Sequence, residues 1–286
     1  MRSPAVLIAA AALLGSGATA AAPAAKPQHV MSLNLCTDQL VLQLLPANRI
    51  ASVSYLSQAS EHVMLTAEAA HVPVNYGSPE EVLAEHPDLV IAGTTSTPAT
   101  RALLKQVGIP LLEVPAAESF AAIRAVTRLV GHAVGEDGKT EALLDRMDAT
   151  LAELKASAPA ERITAVGWDG GGNVPGAGTL FDAILTAAGA VNIAAGTSNT
   201  FTYGSYTSFD LEQLVALHPD ILLYGGGRAN RPDQLNRLIR HRVVRKLFAG
   251  HALAYPEILY RCGLPQSAGA AKELHDAMLK AVEPAR

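Results

Sequence analysis

Cationic surplus is missing from this chain: 22 Lys and Arg stand against 26 Asp and Glu, a formal net charge of −4. A nucleic-acid binder carries a basic stripe, so that class is excluded. Long apolar runs are missing too. Beyond the first residues, no segment approaches the roughly 20 apolar residues that cross a bilayer. There is no G-x-x-x-x-G-K-[ST] to cradle a triphosphate and no G-x-S-x-G nucleophile elbow. The nine histidines are scattered, with no H-E-x-x-H and no pair at metal-ligand spacing. Covalent chemistry has no constellation to stand on, and neither a cofactor nor a protein-held metal is implied. Cysteine occurs twice, at Cys36 and Cys262, and tryptophan once, at Trp168. Two cysteines suit an oxidising compartment, either as one disulfide or as two buried thiols; their spacing leaves both open.

What is present starts with "MRSPAVLIAAAALLGSGATAAAPAAKP". Arg2, an apolar run from Ala5 to Leu14 and the small residues Ala18-Thr19-Ala20 read as a secretory signal over residues 1–20. The run is too short for an anchor. No lipobox follows, because Leu33 and Leu35 are large where small residues are needed before Cys36. The expected mature protein is soluble outside the cytoplasm.

The chain writes one phrase twice. Residues 79–93 read "PEEVLAEHPDLVIAG" and residues 211–225 read "LEQLVALHPDILLYG", with six of fifteen positions identical and the second copy starting 132 residues after the first. Ser78 and Asp210 are natural N-caps, and Glu81 and Gln213, three residues on, complete capping boxes. Each helix should end near its His-Pro, since proline pushes the preceding residue out of the α region. His86 and His218 then sit at helix C-termini, where a dipole partner is expected rather than a metal ligand. "DLVIAG" and "DILLYG" read as strands buried on both faces of a parallel sheet. Capping leaves Glu80 and Glu212 unemployed: either they face the helix dipole, or they are matched surface anions, one in each half.

Strands and helices alternate around both copies, which implies βαβ units. The expected fold is α/β, with two Rossmann-like lobes of parallel sheet over residues 28–134 and 160–286. Between them, residues 135–158 carry Leu143, Leu144, Met147, Leu151 and Leu154 at helical spacing, a stiff strut of roughly 30 Å. "GWDGGGNVPGAG" (167–178) reads as a wide loop, and "GGGRAN" (225–230) lies where such lobes place ligands, outside the carboxyl end of a strand. Trp168, beside the glycine-rich loop, could stack on a planar ligand or pack under its own loop; the cleft is the favoured placement.

The doubled E-x-x-x-x-x-x-P-D phrase, the export signal, the two lobes and the strut together resemble the class III periplasmic substrate-binding proteins of ABC importers. These are receptors for cobalamin and ferric siderophores. "HVMSLNLCTDQL" is similar to that family's first strand and ligand loop, and "YRCGLP" to its last cleft loop. The resemblance implies a monomeric receptor that binds a metal chelate between its lobes and delivers it to an inner-membrane permease dimer. It implies that Glu80 and Glu212 dock on the two permease subunits. It maps the ligand cleft onto Asn34, Thr37, Tyr55, Thr94, Thr95, Trp168, Asp169, Arg228, Tyr260 and Arg261. A siderophore is usually anionic and calls for arginine, whereas a corrinoid calls for aromatic and apolar surface. Three rivals are weaker: a free-metal receptor lacks a convergent His/carboxylate set, a secreted α/β hydrolase lacks its elbow, and a sensory domain lacks an attached membrane segment.

Overall fold

The structure is a computed structural model, and it describes residues 25–59, 64–168, 174–196, 205–208, 210–225 and 240–283. The expected signal over residues 1–20 lies outside them, and no described helix is long and apolar enough to cross a membrane.

In the N-terminal lobe the order is β1 (Val30–Ser32), α1 (Leu35–Leu44), β2 (Ile50–Ser54), α2 (Leu56–Ala59), α3 (Thr66–Ala69), β3 (Val74–Asn75), α4 (Pro79–Glu85), β4 (Leu89–Gly93), α5 (Pro98–Val107), β5 (Leu111–Val114) and α6 (Phe120–Ala133). Helix α7 (Asp137–Ala156) follows. The C-terminal lobe then runs β6 (Ile163–Gly167), β7 (Val174–Pro175), α8 (Leu180–Ala187), β8 (Ala190–Asn192), β9 (Tyr206–Thr207), α9 (Leu211–Leu217), β10 (Ile221–Gly225), α10 (Arg242–Leu247), β11 (Ala252–Tyr255), α11 (Glu257–Arg261) and α12 (Ser267–Val282). The first sheet has the strand order β3-β2-β1-β4-β5 and the second β11-β10-β6-β8, with every described pairing parallel. A small antiparallel pair, β7-β9, flanks the second sheet. The expected two-lobe architecture with a long connecting helix is what the chain adopts.

Strand parity sorts the layers. In the first sheet Val30, Ile91 and their neighbours face α1 and α6, while Met31, Val90 and Ala92 face α4 and α5, through Val82 and Leu104. In the second, Ile163, Ala165, Ile221 and Leu223 face α8 and α12, while Val166 and Leu222 face α9 and α10. The repeated helices α4 and α9 therefore cover equivalent outer faces. The inner faces share one core, because α7 inserts Leu144, Met147 and Leu154 between α6 and α12.

The two copies share several structural tasks. Both capping boxes form. His86 and His218 end their helices in the left-handed region, at φ 48° and 44°. They escape the right-handed α region by this route rather than by extension. Asp88 accepts from the backbone N–H of Gln28 and His29, pinning the entry to β1. Asp220 accepts from the N–H and hydroxyl of Thr164 and pins β6 in the same way.

The lobes are also tied directly. Cys36 and Cys262 form a disulfide with Cα atoms 5.1 Å apart, across a sequence separation of 226. In the chain-entropy view a loop this long contributes on the order of 5 kcal/mol. Elsewhere along the seam, Gln266 Nε2 donates to Gln43 Oε1, and the Leu180 N–H donates to Glu118 Oε2 at 2.8 Å. Helices α6 and α7 are stitched by Arg124–Asp148 and Arg128–Glu141, pairs exposed enough to add little each. Close approach matters more there: a Cβ on Gly131 would lie 1.8 Å from Thr140 Oγ1. Gly131→Ala should therefore destabilise the protein by about 1–3 kcal/mol, read as a lower thermal midpoint. Adding Thr140→Ala should recover part of the loss; an unchanged midpoint for the single variant would show that α6 and α7 separate freely.

Candidate functional site

Because both sheets are parallel, the loops that leave strand carboxyl ends gather on one edge of each lobe. From the N-terminal lobe these are Asn34 after β1, Tyr55 after β2, Tyr76 after β3, Thr94 and Thr95 after β4, and Pro115 to Ala117 after β5. A cavity of about 160 Å³ opens among them, walled by Asn34, Thr37, Thr94, Thr95, Ala117 and the Cys36 half of the disulfide. The C-terminal lobe closes it with Arg261 and Gly263, the two neighbours of Cys262. Gly263 sits so close to the other lobe that a Cβ there would be 2.1 Å from the Ala117 carbonyl oxygen.

The polar groups of this wall differ in availability. Asn34 is the N-cap of α1, its Oδ1 accepting from the Cys36 N–H at 3.0 Å, and its Nδ2 reaches Ser96 Oγ only at 3.4 Å. Thr37 is buried, with its hydroxyl taken up by Ser32 Oγ and the Asn34 carbonyl. It supplies wall rather than a ligand contact. Thr94, Thr95 and Arg261 are exposed. Among the described residues, Arg261 is the charged group of the lining.

A second feature occupies the same edge toward β3. The rings of Tyr55 and Tyr76 stack with centroids 4.9 Å apart at 24°, and they remain 40% and 71% exposed. Their mount is polar and buried. Asp38 Oδ2 accepts from the Ser54 N–H and from the hydroxyls of Ser54 and Ser57, the residues bracketing Tyr55. The Tyr55 N–H donates to the Asn75 carbonyl. Asn75 itself, fully buried, donates to the Ser32 carbonyl and Ser52 Oγ. Burial pushes the Asp38 carboxyl up to about 6, against the hydroxyl bonds that pull it down.

Two expected ligand contacts are corrected. Trp168 is 2% exposed, packed with Val166, Leu214, Leu222, Val244 and Phe248 beneath α9 and α10. Its N–H continues the β6 ladder to Leu223, so parity turns its side chain to the outer face with Val166. Tyr260 is 9% exposed and its ring packs on Tyr255 and Phe181, at centroid distances of 4.5 and 5.4 Å. Phe181 fits there because Gly167 has no side chain; a Cβ would meet its ring at 2.7 Å. Burial holds the Tyr260 phenol well above its ordinary range. Asp169 and Arg228 lie outside the described residues.

Sequence reasoning passed over Tyr76, Glu118, Tyr206 and Gly263. Burial and then the Glu118 carboxylate push the Tyr206 phenol up, with Arg261 opposing. No spacing rule announces such a meeting, since 118, 206 and 261 belong to different elements. Glu80 and Glu212 stand exposed in the first turns of α4 and α9, with no hydrogen bond or ion pair among the described residues.

Comparison with known proteins gives this geometry a context. A family model described as periplasmic binding protein matches residues 37–252. The chain belongs to that family. Its members are solute-binding proteins, not enzymes. A cobalamin-binding protein of Halobacterium salinarum is 28% identical over 213 residues, 70% of this chain and 54% of the relative. The chain thus spans about half the length of the curated relatives it matches. Among solved structures, the heme-binding protein RhuT from Roseiflexus sp. RS-1 superposes with a TM-score of 0.72 at 22% identity, covering 90% of this chain and 99% of that one. The vitamin B12 binding protein BtuF of Vibrio cholerae does so with 0.68 at 14%, covering 91% and 99%. At these identities the likeness is one of fold.

The raised Asp38 value sets a pH signature. A carboxyl whose folded value lies above its ordinary 3.8 contributes stability that is complete below about 4 and lost as pH rises through about 6. The shift corresponds to about 3 kcal/mol. Asp38→Asn should therefore gain roughly that much on the wild type between pH 4 and pH 7.5. Urea unfolding at the two pH values measures it, the other carboxylates cancelling in the difference; a flat difference would mean that Asp38 titrates normally.

Proposed function

We propose that this protein is a periplasmic receptor, monomeric, exported by the signal at residues 1–20, that captures a metal chelate of the siderophore, corrinoid or heme type. Residues 28–134 and 160–286 would be its two lobes and residues 135–158 the connector. It would deliver the chelate to the permease dimer of an inner-membrane ABC importer. The observation that carries this reading is the cleft wall: exposed hydroxyls of Thr94 and Thr95 with the Arg261 guanidinium, beside an exposed tyrosine pair.

Such a wall suits a large ligand with a flat or apolar face and an acidic margin. Arginine bonds to a carboxylate or phenolate oxygen are charge-assisted and directional. A bare cation would meet repulsion from Arg261, and among the described residues no group of three His, Cys, Asp or Glu is placed to hold one. The names of the relatives, cobalamin and heme binders, point to the same ligand class. For docking, the support is the doubling itself: one glutamate per lobe, without a partner among the described residues, each in the first turn of the same capped helix. Exposed pairs are individually weak, but two at fixed spacing set orientation and register.

A binding screen against cobalamin, cobinamide, heme and anionic ferric siderophores tests the ligand class. At least one should bind in the micromolar range or tighter. Arg261→Ala should weaken an anionic chelate by about 1–3 kcal/mol and leave cobinamide, which lacks carboxylates, little changed. Uptake of bare metal ions with no chelate bound would overturn the reading. For docking, Glu80→Ala with Glu212→Ala should leave ligand affinity intact and abolish most stimulation of a reconstituted importer. Loss of ligand binding in that variant would place the glutamates in the wrong role.

A further inference from the structure

We propose that the Cys36–Cys262 bond assembles the ligand site, holding Arg261 and Gly263 of one lobe against Asn34 and Thr37 of the other, so that ligand affinity depends on this bond being closed. The proposal rests on the receptor function above, but part of its test does not.

The described residues that bring the C-terminal lobe into the cavity are Arg261 and Gly263, one on each side of Cys262. Across the seam, Asn34 and Thr37 bracket Cys36 in the same way, and Cys36 itself forms wall. The cross-lobe part of the site is therefore the immediate sequence environment of one covalent bond. Two backbone bonds of the late loop stay within its own lobe: the Cys262 N–H donates to the Ile258 carbonyl, and the Leu264 N–H to Ser267 Oγ. Neither reaches the first lobe. Gly263 rests on Ala117 by contact alone.

The lobes have separate means of staying together. Helix α7 packs on α6 and α12, Gln43 meets Gln266, and Glu118 meets the first turn of α8. Opening the disulfide should thus release a short loop and leave the two-lobe frame standing. Access is asymmetric: Cys36 is half-buried on the cavity wall, whereas Cys262 is 1% exposed. A dithiothreitol thiolate would attack Cys36 Sγ, and the Sγ–Sγ bond would break with Cys262 leaving as thiolate and taking a proton. The reagent's second thiol would then resolve the mixed disulfide, giving two protein thiols and the cyclic oxidised reagent.

Hydrogen exchange of the ligand-free protein, oxidised and reduced, comes first and needs no ligand. Exchange in segments 34–37 and 261–264 should rise at least fivefold on reduction, with both sheets and α7 still protected. Unchanged exchange in these segments overturns the proposal. So does global loss of protection, because the bond would then hold the fold and not the site. The second measurement uses Cys36→Ala with Cys262→Ala, which needs no reductant, and whichever anionic chelate the wild type binds. Its Kd should rise at least fivefold, and adding Arg261→Ala in that background should change it less than twofold. A smaller rise, or a full Arg261 effect without the bond, overturns the proposal. If no chelate binds the wild type, the receptor reading fails while the exchange result still decides this one.

Discussion

A strand in a parallel sheet must be followed by a crossover, so every loop leaving a strand's carboxyl end emerges on the same edge. Both sheets here obey that constraint, and the N-terminal lobe's share of the cavity wall and the tyrosine rim follow from it. Helix α7 and the seam contacts hold the two edges toward each other. Asn34, Tyr55, Tyr76 and Thr94 come from four different strands, yet share one rim because they share one position in the βαβ unit. Trp168 shows the limit of the rule. It too follows a strand, but it continues the ladder by one residue, and parity sends its ring to the opposite face of the sheet.

The doubled phrase is one solution used in two lobes. A capping box fixes where the helix starts, a left-handed histidine ends it, and an aspartate reaches sideways to the central strand. The caps do this with different residue types, Ser78 and Glu81 in one copy and Asp210 and Gln213 in the other, whereas the histidine and the aspartate recur unchanged. The glutamates at Glu80 and Glu212 are the exception. They recur without such a task, and that contrast separates them from the structural identities around them.

Charge in the cleft is arranged by burial as much as by number. The acidic chain places an exposed arginine beside the disulfide and buries Asp38 beneath the tyrosine rim, where it accepts from serine donors. The result is a wall of hydroxyls and one guanidinium, with carboxylates such as Glu118 engaged in holding the seam. Such a wall fits the family of solute-binding proteins to which the chain belongs.

By itself the sequence determined the class of the fold, the repeated helix-strand units, the caps and the long connector. Those features depend on neighbours within a turn or two, and local spacing encodes them. It also carried the two cysteines, whose pairing its spacing left open, while the rim threonines and Arg261 came from the family resemblance. Tertiary structure alone decided the rest. Strand parity at the end of β6 buried Trp168, the missing side chain of Gly167 admitted Phe181 and drew Tyr260 into its cluster, and the juxtaposition of loops 115–117 and 261–263 joined the lobes. The contacts that followed, such as Gly167 with Phe181 and Ala117 with Gly263, join residues from separate elements, and their meeting depends on how the sheets and loops pack.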